Sequence, residues 1–108
     1  MNAVGSCFPT TRELDTETVS ESAFFTDRRE SCLNEAGDYI LAAAEGAIGP
    51  DHIKAELGEV LAGMQAGREH EDELTVFESL GIAVEDLASA ELVVRRARER
   101  GVGIEVEF

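Results

Sequence analysis

The residues best suited to bind a ligand lie in the first loop of the chain. Ala3 and Val4 form a short apolar run that ends at Gly5 and Ser6, and Cys7 follows. This pattern predicts a buried strand that opens into an exposed loop, and ligands of open α/β sheets bind at such strand ends. Gly5 allows a close approach, while Ser6 and Cys7 place small polar groups at the rim.

A second loop of the same kind comes late in the chain. Glu73–Glu78 is predicted to be a strand, and Ser79, Leu80 and Gly81 stand at its carboxyl end. Because parallel strands end at the same edge of a sheet, we expect the two loops to converge and to line a nucleotide crevice. The alternative interpretation is that both are tight turns without a ligand.

The first half of the chain has the pattern of a helix, a strand and a helix. Asp15 or Thr16 is expected to cap a short helix, and Ala23–Asp27 is a compact apolar run typical of a strand. Asp27 or Arg28 leads into a predicted helix over 29–36, which Gly37 is expected to end as its C′ residue.

The middle of the chain is less clear. Tyr39–Ala44 fits either a strand or the start of a helix, although its alanines favour helix. A helix is predicted to begin near Pro50, with one apolar stripe about three turns long. The residues of that stripe are Ile53, Leu57, Val60, Leu61 and Met64.

A long helix is predicted over 83–100, stopped by Gly101, and the alternation of Ile104–Phe108 predicts a half-exposed strand. The candidate inner positions of the helix are Val84, Leu87, Ala88, Val94 and Ala97. Strands therefore alternate with helices, which places the chain in the α/β class.

The composition is strongly acidic. The formal net charge is −14, while 44% of the residues are hydrophobic, too many for a disordered acidic tail. A negative surface argues against nucleic acid and anionic membranes as partners, since both need a basic footprint. Lys54 is the only lysine, and we expect a protein of a high-salt cytoplasm, where repulsion is screened. An ordinary acidic cytosolic protein is the alternative.

The two cysteines, Cys7 and Cys32, lack the spacing of a zinc site or a disulfide framework, so no metal is expected. No stretch reaches the roughly 18 apolar residues of a membrane-spanning helix, and the N-terminus lacks signal-peptide features. A cytoplasmic location is the default expectation.

Several polar residues have simpler explanations than catalysis. Glu13 and Asp15 are expected to cap a helix or pair with an arginine, and His52 and His70 to be solvated surface residues. The basic cluster near the end of the long helix suits the helix dipole better than a phosphate. It consists of Arg95, Arg96, Arg98 and Arg100.

The opening string Asn2–Ser6, with Phe8-Pro9 and Arg12–Asp15, resembles the ornithine cyclodeaminase/mu-crystallin family, which includes the archaeal type of alanine dehydrogenase and several ketimine reductases. Further segments follow in the family's order and at about its spacing. They are Ala36–Asp38, Ala55–Val60 and Thr75–Leu87. The resemblance covers essentially the whole chain but only the C-terminal third of a family member.

The resemblance implies the second half of a Rossmann-type parallel sheet. Residues 1–82 would be the C-terminal half of an NAD-binding domain, and 83–108 a helix and strand that return to a substrate and dimerisation domain. It also implies homodimers and NAD as cofactor. No G-x-G-x-x-G turn follows a strand in this chain, so the half that binds the pyrophosphate is expected to be absent.

The resemblance also implies residue roles. The residues expected along the cofactor are Ala3, Val4, Gly5, Ser6 and Ser79. Leu80 would face the substrate. Cys7 stands where ornithine-cyclising and alanine dehydrogenase members carry an acid/base aspartate, and Thr11 where they often carry lysine. A thiol replaces a carboxylate poorly but can relay a proton, which leaves reduction of an imine or keto acid open.

The function implied for a complete member is hydride transfer from the α-carbon of an amino acid to NAD, followed by deamination or cyclisation of the imine, as in L-ornithine to L-proline plus ammonia, or the reverse reductase direction. The alternative is a catalytically silent remnant that at most associates with another chain. Half a crevice cannot hold a pyrophosphate, so tight NAD binding would distinguish the two.

Overall fold

The computed structural model describes residues 1–107 and contains ten elements. The strands are β1 (Asn2–Ala3), β2 (Ala23–Thr26), β3 (Ile53–Glu56) and β4 (Thr75–Glu78). The helices are α1 (Thr16–Glu21), α2 (Arg29–Glu35), α3 (Gly37–Ala44), α4 (Leu57–Leu61) and α5 (Ala83–Arg100), with a 3₁₀ turn at Pro50–His52.

All four strands are parallel, in the order β1-β4-β2-β3. Ala3 of β1 and Thr26 of β2 both pair with Glu78 of β4, so the three strands end at the same level. The α/β class and the parallel sheet are thus confirmed. The sheet brings the loops after β1, β2 and β4 to one edge.

The core lies on the face of the sheet covered by α1, α2 and α3. Val19, Phe24 and Val76 are fully buried there. The Phe24 ring lies 5.9 Å from the ring of His52, whose Nε2 is 2.7 Å from the carbonyl oxygen of Val19. His52 is therefore half-buried and the expectation of a solvated residue is wrong for it, whereas His70 is exposed.

The helix predicted from near Pro50, with an apolar stripe from Ile53 to Met64, is wrong at both ends. Ile53 and Ala55 alternate inward from a strand paired with β2, and the helix is limited to Leu57–Leu61. Leu61 and Met64, the outer end of the stripe, are 80% and 72% exposed. The spacing of the apolar residues from Ile53 to Leu57 fits both a strand and a helix, and parallel pairing with β2 makes Ile53–Glu56 a strand.

Gly37 directly follows Ala36, the C-cap residue of α2, as predicted, but its φ is not left-handed and it is also the first residue of α3. A side chain is excluded there because a Cβ would lie 1.8 Å from the carbonyl oxygen of Thr11 and 2.4 Å from that of Phe8. The Gly37 N–H also donates to the carbonyl oxygen of Ser6. Tyr39–Ala44, which fitted either structure, is helical.

The long helix α5 has the predicted bounds, and Gly101 ends it with a left-handed φ of 63°. None of its residues is buried, and of the predicted inner positions Val84, Leu87 and Val94 are 63%, 70% and 49% exposed. The predicted strand over Ile104–Phe108 is wrong for residues 104–107, which form no strand and have no neighbouring strand to pair with. Phe108 lies outside the described residues. No helix within 1–107 has the length and apolar character needed to cross a membrane.

Candidate functional site

The loops that follow β1 and β4 are joined directly. The Ser79 N–H donates to the carbonyl oxygen of Ala3 over 2.9 Å. Val4 and Gly5 are exposed beyond this bond, and Ala3 beneath them is buried. The two loops predicted to converge are thus side by side at the carboxyl edge of the sheet.

Glu13 holds the β1 loop in place. Its carboxylate accepts from the N–H groups of Val4, at 3.0 Å, and Gly5, at 2.7 Å. A Cβ on Gly5 would lie 2.4 Å from Glu13 Oε1, so glycine lets the carboxylate close on the loop. Glu13 has a positional role, as expected, but its partners are backbone groups of the loop.

Asp15 is the N-cap of α1. Its carboxylate accepts from the Thr18 N–H at 2.8 Å. Hydrogen bonds from Thr18 lower the pKa of Asp15, and Arg12 nearby adds a smaller effect in the same direction. The cap fixes the point where the loop from β1 enters the helix.

The side chain of Ser6 points into the protein. Its hydroxyl donates to the carbonyl oxygen of Thr11 at 2.9 Å and accepts from the Asp38 N–H at 3.0 Å. Asp38 Oδ1 in turn accepts from the N–H groups of Glu13 and Leu14. The Ser6 hydroxyl and carbonyl oxygen are thus both used inside the protein, and the residue is 1% exposed, so Ser6 fixes the loop from beneath.

Asp27 holds the β4 loop, a role that the sequence reasoning missed. Asp27 Oδ2 accepts from the N–H groups of Leu80, at 2.7 Å, and Gly81, at 2.6 Å. Its Oδ1 accepts from the N–H of Arg28, which is the N-cap residue of α2. The Leu80 side chain packs against the core, so the structure places it half-buried rather than open to the loop.

The two thiols differ in environment. Cys7 is exposed on the β1 loop, and both cysteines are free. Cys32 is buried beneath β2, and burial raises the pKa of its thiol to about 12, which leaves it protonated and unreactive. No group of three or more potential metal ligands is assembled anywhere in residues 1–107.

A buried carboxyl pair lies under the two loops, and the sequence reasoning missed it too. Glu78 is 0% exposed and Asp38 is 1% exposed. Burial, followed by the nearby charge of Asp38, raises the pKa of Glu78 to about 8. The alternation of Thr75–Glu78 is the signal that was available, because it places Glu78 on the inward face with Val76.

These features define a class of protein. A parallel sheet whose strand-end loops are fixed side by side is typical of a Rossmann-type α/β domain, of which this chain forms the C-terminal part. The chain belongs to the ornithine cyclodeaminase/mu-crystallin family, whose sequence profile matches residues 1–101.

The chain is 38% identical to the Δ1-pyrroline-2-carboxylate reductase of Bacillus cereus over 109 residues, which is all of this chain and 34% of that protein. It is 47% identical, with a TM-score of 0.86, to the Thermococcus litoralis Δ1-pyrroline-2-carboxylate reductase in complex with NADH and L-proline, covering 97% of this chain and 32% of that one.

An archaeal alanine dehydrogenase dimer with bound NAD is 36% identical, with a TM-score of 0.80, over 99% of this chain and 33% of that one. The chain therefore spans about a third of the length of the relatives it matches. It matches the C-terminal part of their fold.

Proposed function

We propose that this chain forms the nicotinamide end of an NAD(H) site in an amino-acid or cyclic-imine oxidoreductase. The observation that carries the proposal is the bond between Ser79 N–H and Ala3 carbonyl oxygen, which sets the two strand-end loops side by side. Relatives of similar fold hold NADH or NAD. When bound, the nicotinamide supplies or accepts the hydride.

The surface of the two loops suits a flat ring. Gly5 has no side chain, its N–H is held by Glu13, and Val4 beside it is 67% exposed. The proposed cofactor site consists of Ala3, Val4, Gly5, Ser6 and Ser79, in which the buried Ala3 and Ser6 would support the loop from beneath. Residues outside this chain would bind the pyrophosphate. We assign 1–82 to the cofactor domain and 83–108 to a segment that returns to a substrate and dimerisation domain.

The proposed reaction is the reduction of a cyclic imine to the amino acid, as the names of the reductase relatives suggest. Cys7 is exposed on the same loop as Gly5 and would relay a proton to the substrate. Ornithine cyclisation fits less well, because it needs the carboxylate that Cys7 replaces. Leu80 would border the substrate through the part of its side chain that remains accessible.

The test uses the polypeptide that carries this sequence, captured from its own cells with its mass determined. We expect NADH oxidation with Δ1-pyrroline-2-carboxylate to exceed NADH oxidation with pyruvate plus ammonia and NAD reduction with L-ornithine. Absence of turnover and of NADH binding would contradict the proposal.

A glycine pair controls the test. In Gly5→Ala, the new Cβ displaces the Glu13 carboxylate, so we expect NADH affinity to fall by about tenfold, equivalent to about 1.4 kcal/mol. Gly58→Ala meets no atom within 4 Å and should bind NADH as the wild type does. Equal affinities in the two variants would show that the β1 loop is not at the cofactor.

The second candidate function is a catalytically silent association module. The observation that favours it is the exposure of apolar side chains on α5, where Leu87 is 70%, Val93 65% and Val84 63% exposed. Sedimentation of the 108-residue chain, with and without NADH, separates the candidates: self-association without NADH binding supports the module.

A further inference from the structure

Glu78 is buried without any hydrogen-bond donor to satisfy it. Both of its carboxyl oxygens and Oδ2 of Asp38 lack an N–H or O–H partner, although all three are inaccessible to solvent. The Asp38 carboxyl group lies within hydrogen-bonding reach of Glu78. Two ionised carboxylates have no hydrogen to donate, so a hydrogen bond between the two side chains requires a proton.

The charged groups that face Glu78 favour that proton. Asp38 faces it from α3, Glu13 from the loop before α1 and Asp27 from the end of β2, and each of these carboxylates disfavours a charge on Glu78. The buried thiol of Cys32 on α2 also lies within its electrostatic reach. An ionised Glu78 would thus be a buried charge among like charges.

We propose that Glu78 and Asp38 share one proton and that this carboxyl pair positions the two loops of the candidate site. Its consequence for cofactor binding rests on the proposed function. The pair itself stands on burial and on three buried oxygen atoms that have no donor, two of which a shared proton would join.

Both members of the pair connect to the loops. Asp38 holds Glu13 and Leu14 through Oδ1 and Ser6 through its N–H, and Glu13 then holds Gly5. Glu78 precedes Ser79, whose N–H reaches Ala3. When the shared proton is lost, repulsion between the carboxylates must displace α3 or the end of β4. Either movement changes the edge between Gly5 and Ser79.

The test is an NMR titration of the 108-residue chain without cofactor, so its outcome does not depend on NADH binding. We expect the side-chain carboxyl carbon of Glu78 to titrate near pH 8. The amides of Gly5, Ser6 and Ser79 should shift with the same midpoint. A Glu78 midpoint below about pH 5.5, near the ordinary value for glutamate, would overturn the shared proton.

Two conservative variants separate positioning from mere packing. Glu78→Gln keeps the shape and donates permanently to Asp38, so the loop amides should lose their shift near pH 8. Asp38→Asn keeps an oxygen for Glu13 and Leu14 but donates to Glu78, and should lower the Glu78 midpoint by about one to three pH units. If Glu78 titrates near pH 8 in the wild type and the loop amides do not follow, the positioning role is wrong.

With the wild-type titration as expected, NADH binding at pH 6.5 and pH 9 by the polypeptide captured from its own cells then tests the functional consequence. If the wild type binds NADH more weakly at pH 9 than at pH 6.5 and the Glu78→Gln variant does not, the link between the carboxyl pair and the cofactor is supported. Equal binding at the two pH values would overturn the link to the cofactor and leave the carboxyl pair intact.

Discussion

The acidic residues nearest the candidate site serve the backbone. Glu13 and Asp27 each accept two N–H groups from one of the two strand-end loops, and Asp38 accepts two from the segment between the β1 loop and α1. Hydrogen bonds to a charged group contribute about 1.5–3 kcal/mol each. Carboxylates in these positions therefore make rigid loops from segments that have little regular structure of their own.

Removing Asp27 should loosen the β4 loop. Asp27→Ala removes the acceptor of the N–H groups of Arg28, Leu80 and Gly81. Because water can replace it at the exposed Arg28 and Gly81, we expect the free energy of unfolding to fall by the contribution of one such bond, roughly 1.5–3 kcal/mol. Urea unfolding followed by circular dichroism measures this. Asp72→Ala, in an exposed turn, is the control and should lie within about 0.5 kcal/mol of the wild type. Equal losses in the two variants would contradict the role of Asp27.

Gly37 is predicted to tolerate no side chain. In Gly37→Ala the Cβ would overlap the carbonyl oxygens of Thr11 and Phe8, so the loop or α3 must move, at a cost of about 1–3 kcal/mol. The matched control is Gly58→Ala in α4, which meets nothing within 4 Å and should be neutral or slightly stabilising. The same urea titration applies, and a Gly37→Ala chain as stable as the control would show that the approach is looser than described.

At the scale of elements, patterns with one consistent period were predictable. The short apolar strands β2 and β4 and the helix α5 follow from the sequence, and so does the Asp15 cap. Ile53–Glu56 did not, because its apolar spacing fits both a strand and a helix and only pairing with β2 decides. The roles of Asp27, Asp38 and Glu78 could not be predicted from the sequence either, because each depends on a partner at least 24 residues away along the chain.

The helix α5 should contribute little to the stability of the isolated chain. Leu87 is 70% exposed, so Leu87→Ala should change the free energy of unfolding by no more than about 0.5 kcal/mol. Val76 is fully buried in the sheet, and Val76→Ala should cost roughly 2 kcal/mol. Dilute samples keep the comparison free of association. A large effect of Leu87→Ala under those conditions would mean that α5 packs within the monomer.

At the scale of the whole molecule, Glu78 makes the stability depend on pH. Its pKa is raised from 4.5 to about 8, so the folded state retains a proton that the unfolded state has released between those values. The contribution of Glu78 to the free energy of unfolding is fully present below about pH 4.5. It is lost as the pH rises to about 8, so that the free energy of unfolding falls by about 1.4 kcal/mol per pH unit in this range. The pKa values of Asp15, Glu45 and Glu73 are lowered, so their contributions disappear only at acidic pH.

Thermal unfolding at pH 5, 6.5 and 8 measures this dependence, and Glu78→Gln is the control. The variant has no carboxyl group at position 78, so its unfolding free energy should be nearly independent of pH within that window. A wild type whose stability is flat from pH 5 to pH 8 would contradict a raised pKa for Glu78 in the folded chain.

The net charge of −14 should make folding depend on salt. Repulsion between the acidic side chains opposes the compact state, and the screening length falls from about 10 Å at 0.1 M salt to about 3 Å at 1 M. We therefore expect the melting temperature to rise with NaCl, most steeply below 1 M.

A matched variant replaces four exposed acidic residues that lie outside the ion pairs. They are Glu21, Glu35, Glu71 and Glu85. Replacing these four with glutamine reduces the net charge from −14 to −10, and the rise with salt should become smaller. An equal rise in the two proteins would assign the effect to apolar burial, and the acidic surface would then carry no adaptation to high salt.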